Sequence, residues 1–213
     1  MNPGPAKPLL ALLASLTLAL GLQTSAAAQT ELPACPICDA FDLAAYAGPL
    51  EDGEVIGLLH ALNDEYHAWA LYDQVIAEHG PVTPFTNILG AEAQHVQRLV
   101  PLFEGFAVLP VPENPWPGQV ASFPSLVTAC LAGVEAELVN IELYAWLLTS
   151  TEREDILAIY RDLQRASQEK HLPAFERCAG VAGDPGGGPG AGPGGDPGRI
   201  GLTERAYLPR LVR

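Results

Sequence analysis

The stretch from residue 84 to residue 103 reads PFTNILGAEAQHVQRLVPLF and combines an apolar helical stripe with two polar residues inside it. Its apolar residues recur at the three- and four-residue spacing of one helical face, at Phe85, Ile88, Leu99 and Leu102. Glu92 and His95 lie in the middle of the same face. Burial of an unpaired carboxylate costs on the order of several kcal/mol, so this inward pair needs a partner.

Three further segments show helical spacing, and no segment alternates as a strand would. The predicted helices span, in chain order, about residues 51–79, 83–105, 122–148 and 151–178. We expect Thr83 to cap the second helix with Pro84 in its first position, and residues 151–154 to open the fourth as a capping box. Two short connections and one long crossover, between the second and third helices, predict an all-α four-helix bundle of two hairpins.

Each predicted helix carries a metal-capable residue about halfway along its apolar stripe. These residues are Glu65, Glu92 with His95, Glu137 and His171. Three converging carboxylates would repel one another, and no Lys or Arg lies in the stripes to balance their charge. The pattern therefore predicts a site for one or two metal ions. Tyr72 and Tyr144 each follow a glutamate of the site by seven residues, and we expect them to hydrogen-bond ligand carboxylates.

The fourth helix departs from the dimetal pattern, in which two helices carry Glu and two carry Glu-x-x-His. The position three before His171 is Gln168, and Glu169 is expected to point elsewhere. Gln168 is therefore predicted as a weak ligand through its carbonyl oxygen. With three carboxylates rather than four, we expect a looser dinuclear site or one tightly bound ion. The other histidines have no matching partners and are expected at the surface: His60, His67 and His79.

The four cysteines favour disulfides, because an even count is typical of exported chains. Cys130 precedes Glu137 by seven residues and Cys178 follows His171 by seven, so the two cysteines fall at one level of antiparallel helices. This register predicts a Cys130–Cys178 disulfide and leaves Cys35–Cys38 as a local pair. Connectivities that join the first two cysteines to the bundle stay open. A zinc site at the CPIC motif would need two further ligands, and there is no second CxxC; a redox role is typical of a strand–helix setting, which does not precede it here.

The termini predict export and two appended segments. Residues 1–28 contain one lysine, an apolar run and small residues before Ala28, as in a cleaved signal peptide. We therefore expect a periplasmic or secreted protein, with no transmembrane segment after cleavage. Residues 29–50 form an irregular Cys-containing lead-in to the bundle domain, residues 51–180. A Gly/Pro linker, residues 183–198, precedes a basic tail, residues 199–213. The net charge of −14 argues against nucleic-acid binding.

Taken together, the motifs over residues 54–178 resemble a bacterial ferritin-like family that carries only a domain-of-unknown-function label. PFTNILGAEAQH is similar to that family's PVF-NI---E--H run, and a Glu followed by Tyr seven residues later precedes it. GVEAELVNIELYAWL and LQRASQEKHLPAF resemble its second half. Asn140, where an Asp is common, and one extra residue between Ser167 and His171 depart from the family. The resemblance implies a ferritin-like fold and metal binding, without a reaction.

The sequence thus favours an exported ferritin-like protein that binds one or two iron or manganese ions. If the centre is catalytic, the chemistry would be ferrous oxidation or the reduction of oxygen or peroxide. Two other classes of function are compatible with the sequence. One is a non-catalytic helical binding module for an unknown protein partner, and the other is a periplasmic metal carrier.

Overall fold

The computed structural model describes Met1 and residues 32–180, and this part of the chain is all-helical without a strand. The predicted all-α class is therefore confirmed over these residues. The signal peptide, the Gly/Pro linker and the basic tail lie outside the described residues. The helices are α1 Pro36–Ala40, α2 Asp52–His79, α3 Phe85–Gly105, α4 Leu126–Leu147, α5 Glu154–Ala166 and α6 Leu172–Ala179.

The four long helical segments pack in neighbouring pairs. Helix α2 packs against α3 and α4, while α4 also packs against α5 and α6, and α3 contacts α5. A π-helical turn, Ser167–His171, joins α5 to α6, so these three elements follow one another as the fourth long segment. Among the described residues, no helix combines the length and apolar character that crossing a bilayer requires.

Two predicted helix starts are wrong by a few residues. Helix α3 begins at Phe85 with Pro84 at its cap position, rather than with Thr83 as a capping residue. Helix α4 begins at Leu126 rather than near residue 122, and Ser125 caps it through reciprocal hydrogen bonds with Thr128. The difference has a tertiary cause, because Phe123 is tied to the end of α2. Its N–H donates to a Glu78 carboxylate oxygen at 3.0 Å, and its carbonyl contacts a His79 ring nitrogen at 2.9 Å.

The capping box predicted for the fourth helix is also absent. Helix α5 begins at Glu154, and Arg153 at its cap position makes no side-chain capping bond. The Thr151 hydroxyl instead donates to a Glu54 carboxylate oxygen at 2.5 Å, and the Arg153 Nε donates to Glu54 at 3.3 Å. The residues that were expected to cap α5 thus join it to the first turn of α2.

A π turn interrupts the fourth segment next to its proline. The N–H of Leu172 donates to the carbonyl of Ser167, five residues earlier, which defines the wider turn. Pro173 follows directly and has no N–H to donate. Because a π turn holds more residues than an α turn, positions three apart no longer face the same side. Ser167 and His171 face inward and are buried, whereas Gln168 is exposed.

The interior consists of two apolar clusters with a polar layer between them. One cluster fills the end at which α2 begins and includes Leu58, Leu62, Leu99, Phe103, Leu147 and Leu163. The other fills the end at which α2 finishes and includes Leu71, Val75, Phe85, Ile88, Ala129 and Phe175. Every long segment contributes to both clusters, so its polar residues at mid-length fall into one common layer.

Both predicted cysteine pairs lie at disulfide distance. Cys130 of α4 faces Cys178 of α6 with 5.6 Å between their Cα atoms. Cys35 and Cys38 close the first turn of α1, with 5.2 Å between their Cα atoms. The register argument for the helix-to-helix pair is confirmed, and the described residues contain no free cysteine.

Gly133 is needed for the close approach of α4 and α6. A Cβ atom at this position would lie 2.5 Å from the buried Phe175 ring. We expect Gly133→Ala to lower the free energy of unfolding by roughly 1–3 kcal/mol through overpacking. Urea denaturation followed by circular dichroism would measure this. Gly90→Ala is the matched control, because the added methyl group has no atom within 4 Å apart from its chain neighbours and its own helix backbone. It should stabilise α3 by up to about 1 kcal/mol. Equal effects of the two substitutions would contradict the packing argument.

Candidate metal centre

The structure brings all five predicted ligand residues together in the polar layer. Helix α2 contributes Glu65, α3 contributes Glu92 and His95, α4 contributes Glu137, and the π turn contributes His171. Their exposed fractions range from 0% for Glu65 to 7% for His95. Nitrogen and oxygen atoms of these residues form two overlapping groups, in each of which the atoms lie within 4.8 Å of one another. Their role as metal ligands stays a prediction at this point.

The first group centres on the imidazole of His95. Its Nδ1 atom lies 2.9 Å from Glu65 Oε2 and 2.8 Å from Glu92 Oε2. One ring nitrogen thus faces carboxylate oxygens from two different helices. Such convergence of three potential ligand atoms on one small volume is the arrangement that a cation requires.

The second group shares Glu92 with the first. His171 Nδ1 lies 3.0 Å from Glu92 Oε1 and 3.5 Å from Glu137 Oε2. Despite this proximity, Glu92 Oε1 and His171 Nδ1 are buried without a hydrogen-bond partner in the described part of the protein. Buried polar atoms are nearly always hydrogen-bonded, whereas these two contact each other at ion-pair distance without hydrogen-bond geometry. A cation bound to both would satisfy them. The two imidazole rings stack on each other, with centroids 5.4 Å apart.

Two buried tyrosines hydrogen-bond Glu137 and Glu65, the two terminal glutamates, which each belong to one group of potential ligands only. In each case the tyrosine contacts the outer oxygen, the one that does not face a histidine. The Tyr72 hydroxyl donates to Glu137 Oε1 at 2.7 Å, and the Tyr144 hydroxyl donates to Glu65 Oε1 at 2.5 Å. The prediction that these tyrosines hydrogen-bond the site carboxylates is therefore confirmed. Burial, followed by the charge of the nearby glutamates, raises the pKa of both phenols, so both remain donors. Each terminal glutamate keeps its second oxygen turned toward a histidine.

The charges of the layer shift the protonation of its members. Burial alone would lower the pKa of both histidines, but the carboxylates next to them prevail and raise it to about 10 for His95 and about 9 for His171. Burial raises the pKa of Glu65 to about 7. For Glu92, burial would raise the pKa, but the adjacent His171 and His95 imidazoles outweigh burial, and the pKa is lowered. Without a metal, protonated imidazoles therefore compensate most of the carboxylate charge.

A second polar pair in the layer was not expected from the sequence. Asn140 Nδ2 donates to Asp64 Oδ2 at 2.6 Å, and both residues are buried. Burial and the adjacent Glu65 charge raise the pKa of Asp64 well above its usual value. Asp64 precedes Glu65 directly and Asn140 follows Glu137 by three residues, so both lie beside predicted ligands. Two consecutive acids in the middle of an apolar helix were the signal that could have revealed this pair.

Among the neighbouring polar residues, one prediction stays untested and one needs correction. Gln168 is exposed on the π turn, and its role as a weak ligand stays a prediction. His60 is buried rather than at the surface, near Cys35 and Cys38, whose sulfur atoms are joined in a disulfide. The remaining two histidines are half-buried, against Trp116 for His67 and at the Phe123 carbonyl for His79.

The chemistry of the donor set fits iron or manganese. Carboxylate oxygens and imidazole nitrogens are ligands that both metals accept in helical bundles. Among the described residues, no Lys or Arg forms an ion pair with Glu65, Glu92 or Glu137. Glu92 Oε1 and His171 Nδ1 lie 3.0 Å apart, a separation that two ligands of one cation can have.

Comparison with solved structures finds a likeness to the crystal structure of a hypothetical protein from Methanococcus jannaschii. The TM-score is 0.55 at 24% sequence identity, and the match covers 63% of this chain and 84% of that chain. At this identity the likeness supports the helical fold alone. Neither the protein-family models nor the curated proteins with which the chain was compared match it. The resemblance to a ferritin-like family therefore stays a prediction.

The histidines predict how the metal-free protein responds to alkaline pH. An unfolded histidine has a pKa of about 6.5, so the raised values stabilise the fold fully below that pH. This contribution is lost as pH rises through about 9 for His171 and about 10 for His95. Denaturation with a chelator present should therefore show lower stability at about pH 10 than at about pH 7. His95→Gln should show a smaller decrease, and an equal decrease in both proteins would contradict the assignment.

Proposed function

We propose that this chain is an exported, ferritin-like metal-binding protein with a two-metal centre of iron or manganese. The observation that carries the proposal is the position of Glu92 between two groups of potential ligands. Each group is completed by one histidine and one further glutamate from another helix. Each of the four long segments contacts two others, as expected for a four-helix bundle, and this supports the ferritin-like fold. Such bundles hold their metals between facing helices.

In this proposal the two groups hold one ion each. Glu65, Glu92 and His95 would bind the first, and Glu137 and His171 would bind the second together with Glu92. The fourth helix lacks the glutamate of the second Glu-x-x-His pair in the full dimetal pattern, because Gln168 occupies that position, and Gln168 is exposed. Three protein ligands per ion leave coordination positions for water or substrate. The lower carboxylate charge also predicts weaker binding than in a four-carboxylate site.

The residues around the centre have separate tasks in the proposed activity. An iron pair would supply one-electron redox chemistry. The reactions that fit this chemistry are ferrous oxidation and the reduction of oxygen or peroxide. Tyr72 and Tyr144 orient Glu137 and Glu65 by hydrogen bonds to their outer oxygens. His95 and His171 would release their imidazole protons, because a bound cation would replace those protons as the positive charge next to the carboxylates. The apolar clusters on both sides exclude bulk water.

The cysteines support the proposed compartment. Two disulfides among the described residues fit an oxidising environment such as the periplasm or the extracellular space. The signal-peptide pattern before Ala28 is the sequence feature that agrees with this setting.

Metal content is the first test of the proposal. We expect the exported wild-type protein to contain up to two iron or manganese ions, measured by mass spectrometry after desalting. Glu92→Gln should lose most of both, because it removes the charge that the two groups share. Its affinity should fall by more than the roughly 10- to 100-fold typical of losing an outer hydrogen-bond partner. Glu142→Gln, at an exposed position of α4, is the charge-matched control. A wild-type protein without transition metal would refute the proposal.

Oxygen reactivity separates a catalytic centre from a carrier or structural site. The metal-free protein is loaded with ferrous iron under anaerobic conditions and then mixed with oxygenated buffer. We expect ferric absorbance to develop at least about ten-fold faster than with Glu92→Gln, a gain within the range of metal-site catalysis. Equal rates would argue against an oxidase, and rapid transfer of the iron to a chelator would favour the carrier.

A further inference from the structure

A cavity of about 230 Å³ adjoins the proposed metal centre between α2 and α4. Its lining includes Glu137, one of the proposed ligands, and Tyr72, which donates to that glutamate. The unexpected polar pair, Asp64 and Asn140, belongs to the same lining. The cavity therefore reaches from the layer of proposed ligands toward the surface on the side of this pair.

The rim of the cavity is held in place by one side chain of α2. The amide nitrogen of Asn63 donates to the Ala34 carbonyl at 3.0 Å, and its Oδ1 accepts from the Trp116 indole N–H at 3.1 Å. The lead-in and the long crossover are thereby tied to α2 at the edge of the cavity. The cavity is thus part of the folded structure rather than a gap between loosely placed loops.

The deep polar groups of the cavity are mainly oxygen acceptors. The amide nitrogen of Asn140 donates to Asp64. The Oδ1 atom of Asn140 is buried without a partner among the described residues. The side chain is 6% exposed, so Oδ1 cannot rely on bulk solvent. An unpartnered buried acceptor requires a donor or a cation. Carboxylate and amide oxygens are the ligands that hard divalent cations accept.

The acids of the cavity lie at different depths. Glu135 is exposed, Asp64 is 9% exposed and Glu137 is 2% exposed. No Lys or Arg belongs to the lining, so the negative charge is not compensated along the way. The exposed carboxylate at the mouth, Glu135, raises the local concentration of cations and their association rate. At about 30 Å³ per water molecule, the volume also suffices for an ion with several of its waters.

We propose that this cavity is the route by which hydrated divalent cations reach the centre, with Asp64 and Asn140 as transient oxygen ligands. The cation is attracted at the mouth by Glu135, exchanges waters for the oxygens of the pair, and passes to Glu137. This inference rests on the proposed function, since it gives the class of ion and its path to that same site. It adds a role for two residues that are not ligands of the final site.

Rates of metal loading test the route separately from the site. Stopped-flow mixing of the metal-free protein with Co²⁺ follows loading by the visible absorbance of the bound ion, and the end point gives the stoichiometry. Glu135→Gln should slow loading by several-fold, up to roughly ten-fold, with the same final stoichiometry, and added salt should reduce the difference. Glu142→Gln removes an equal charge from α4 outside the cavity lining and should load at the wild-type rate.

The polar pair is tested by two substitutions at one position. Asn140→Leu removes the free oxygen and should slow loading by about ten-fold or more, again without loss of final stoichiometry. Asn140→Asp keeps an oxygen acceptor and should load at least as fast as the wild type. If Asn140→Leu does not fold, Glu135→Gln and Asn140→Asp decide the question. Loading at the control rate by Glu135→Gln, or slower loading by Asn140→Asp, would overturn the route. A wild type that binds no Co²⁺ would refute the proposed centre instead.

Discussion

Three carboxylates buried in one layer are the constraint around which the rest of the structure is arranged. Glu65, Glu92 and Glu137 approach one another from three helices, and their mutual repulsion must be offset within the fold. In the metal-free protein the imidazoles of His95 and His171 do so by staying protonated. A divalent cation can replace those protons, because each imidazole then becomes a neutral ligand.

The two apolar clusters, one on each side of the polar layer, determine the environment of its carboxylates. They bury the carboxylates and strengthen every electrostatic interaction between them by removing bulk water. They also place Tyr72 and Tyr144 so that each phenol holds the outer oxygen of one terminal glutamate. The disulfide between α4 and α6 lies at the end of the cluster that surrounds Phe175. The centre is therefore held by packing on both sides rather than by its own contacts alone.

The two hairpins contribute unequally to the layer. The first supplies Glu65 on α2 and a complete Glu-x-x-His pair on α3. The second supplies Glu137 on α4 and, from a π turn, His171 without a matching glutamate. That turn directs His171 inward and leaves Gln168 in solvent, so Glu92 alone connects the two groups of proposed ligands. π turns inside α-helices often occur at functional sites, and here the turn accounts for the asymmetry. The Asp64–Asn140 pair extends the layer sideways into a cavity.

The order of amino acids was sufficient to predict the four long helical segments, the five converging side chains and both cysteine pairs. These depend on helical periodicity and register, which Glu92 and His95 display at three-residue spacing. Only the tertiary structure decided the outward position of Gln168, the burial of His60 and the partnership of Asp64 with Asn140. Each of these depends on a wider helical turn or on contacts between distant segments. Such features have no periodic signal along the chain, because they arise only when the helices pack.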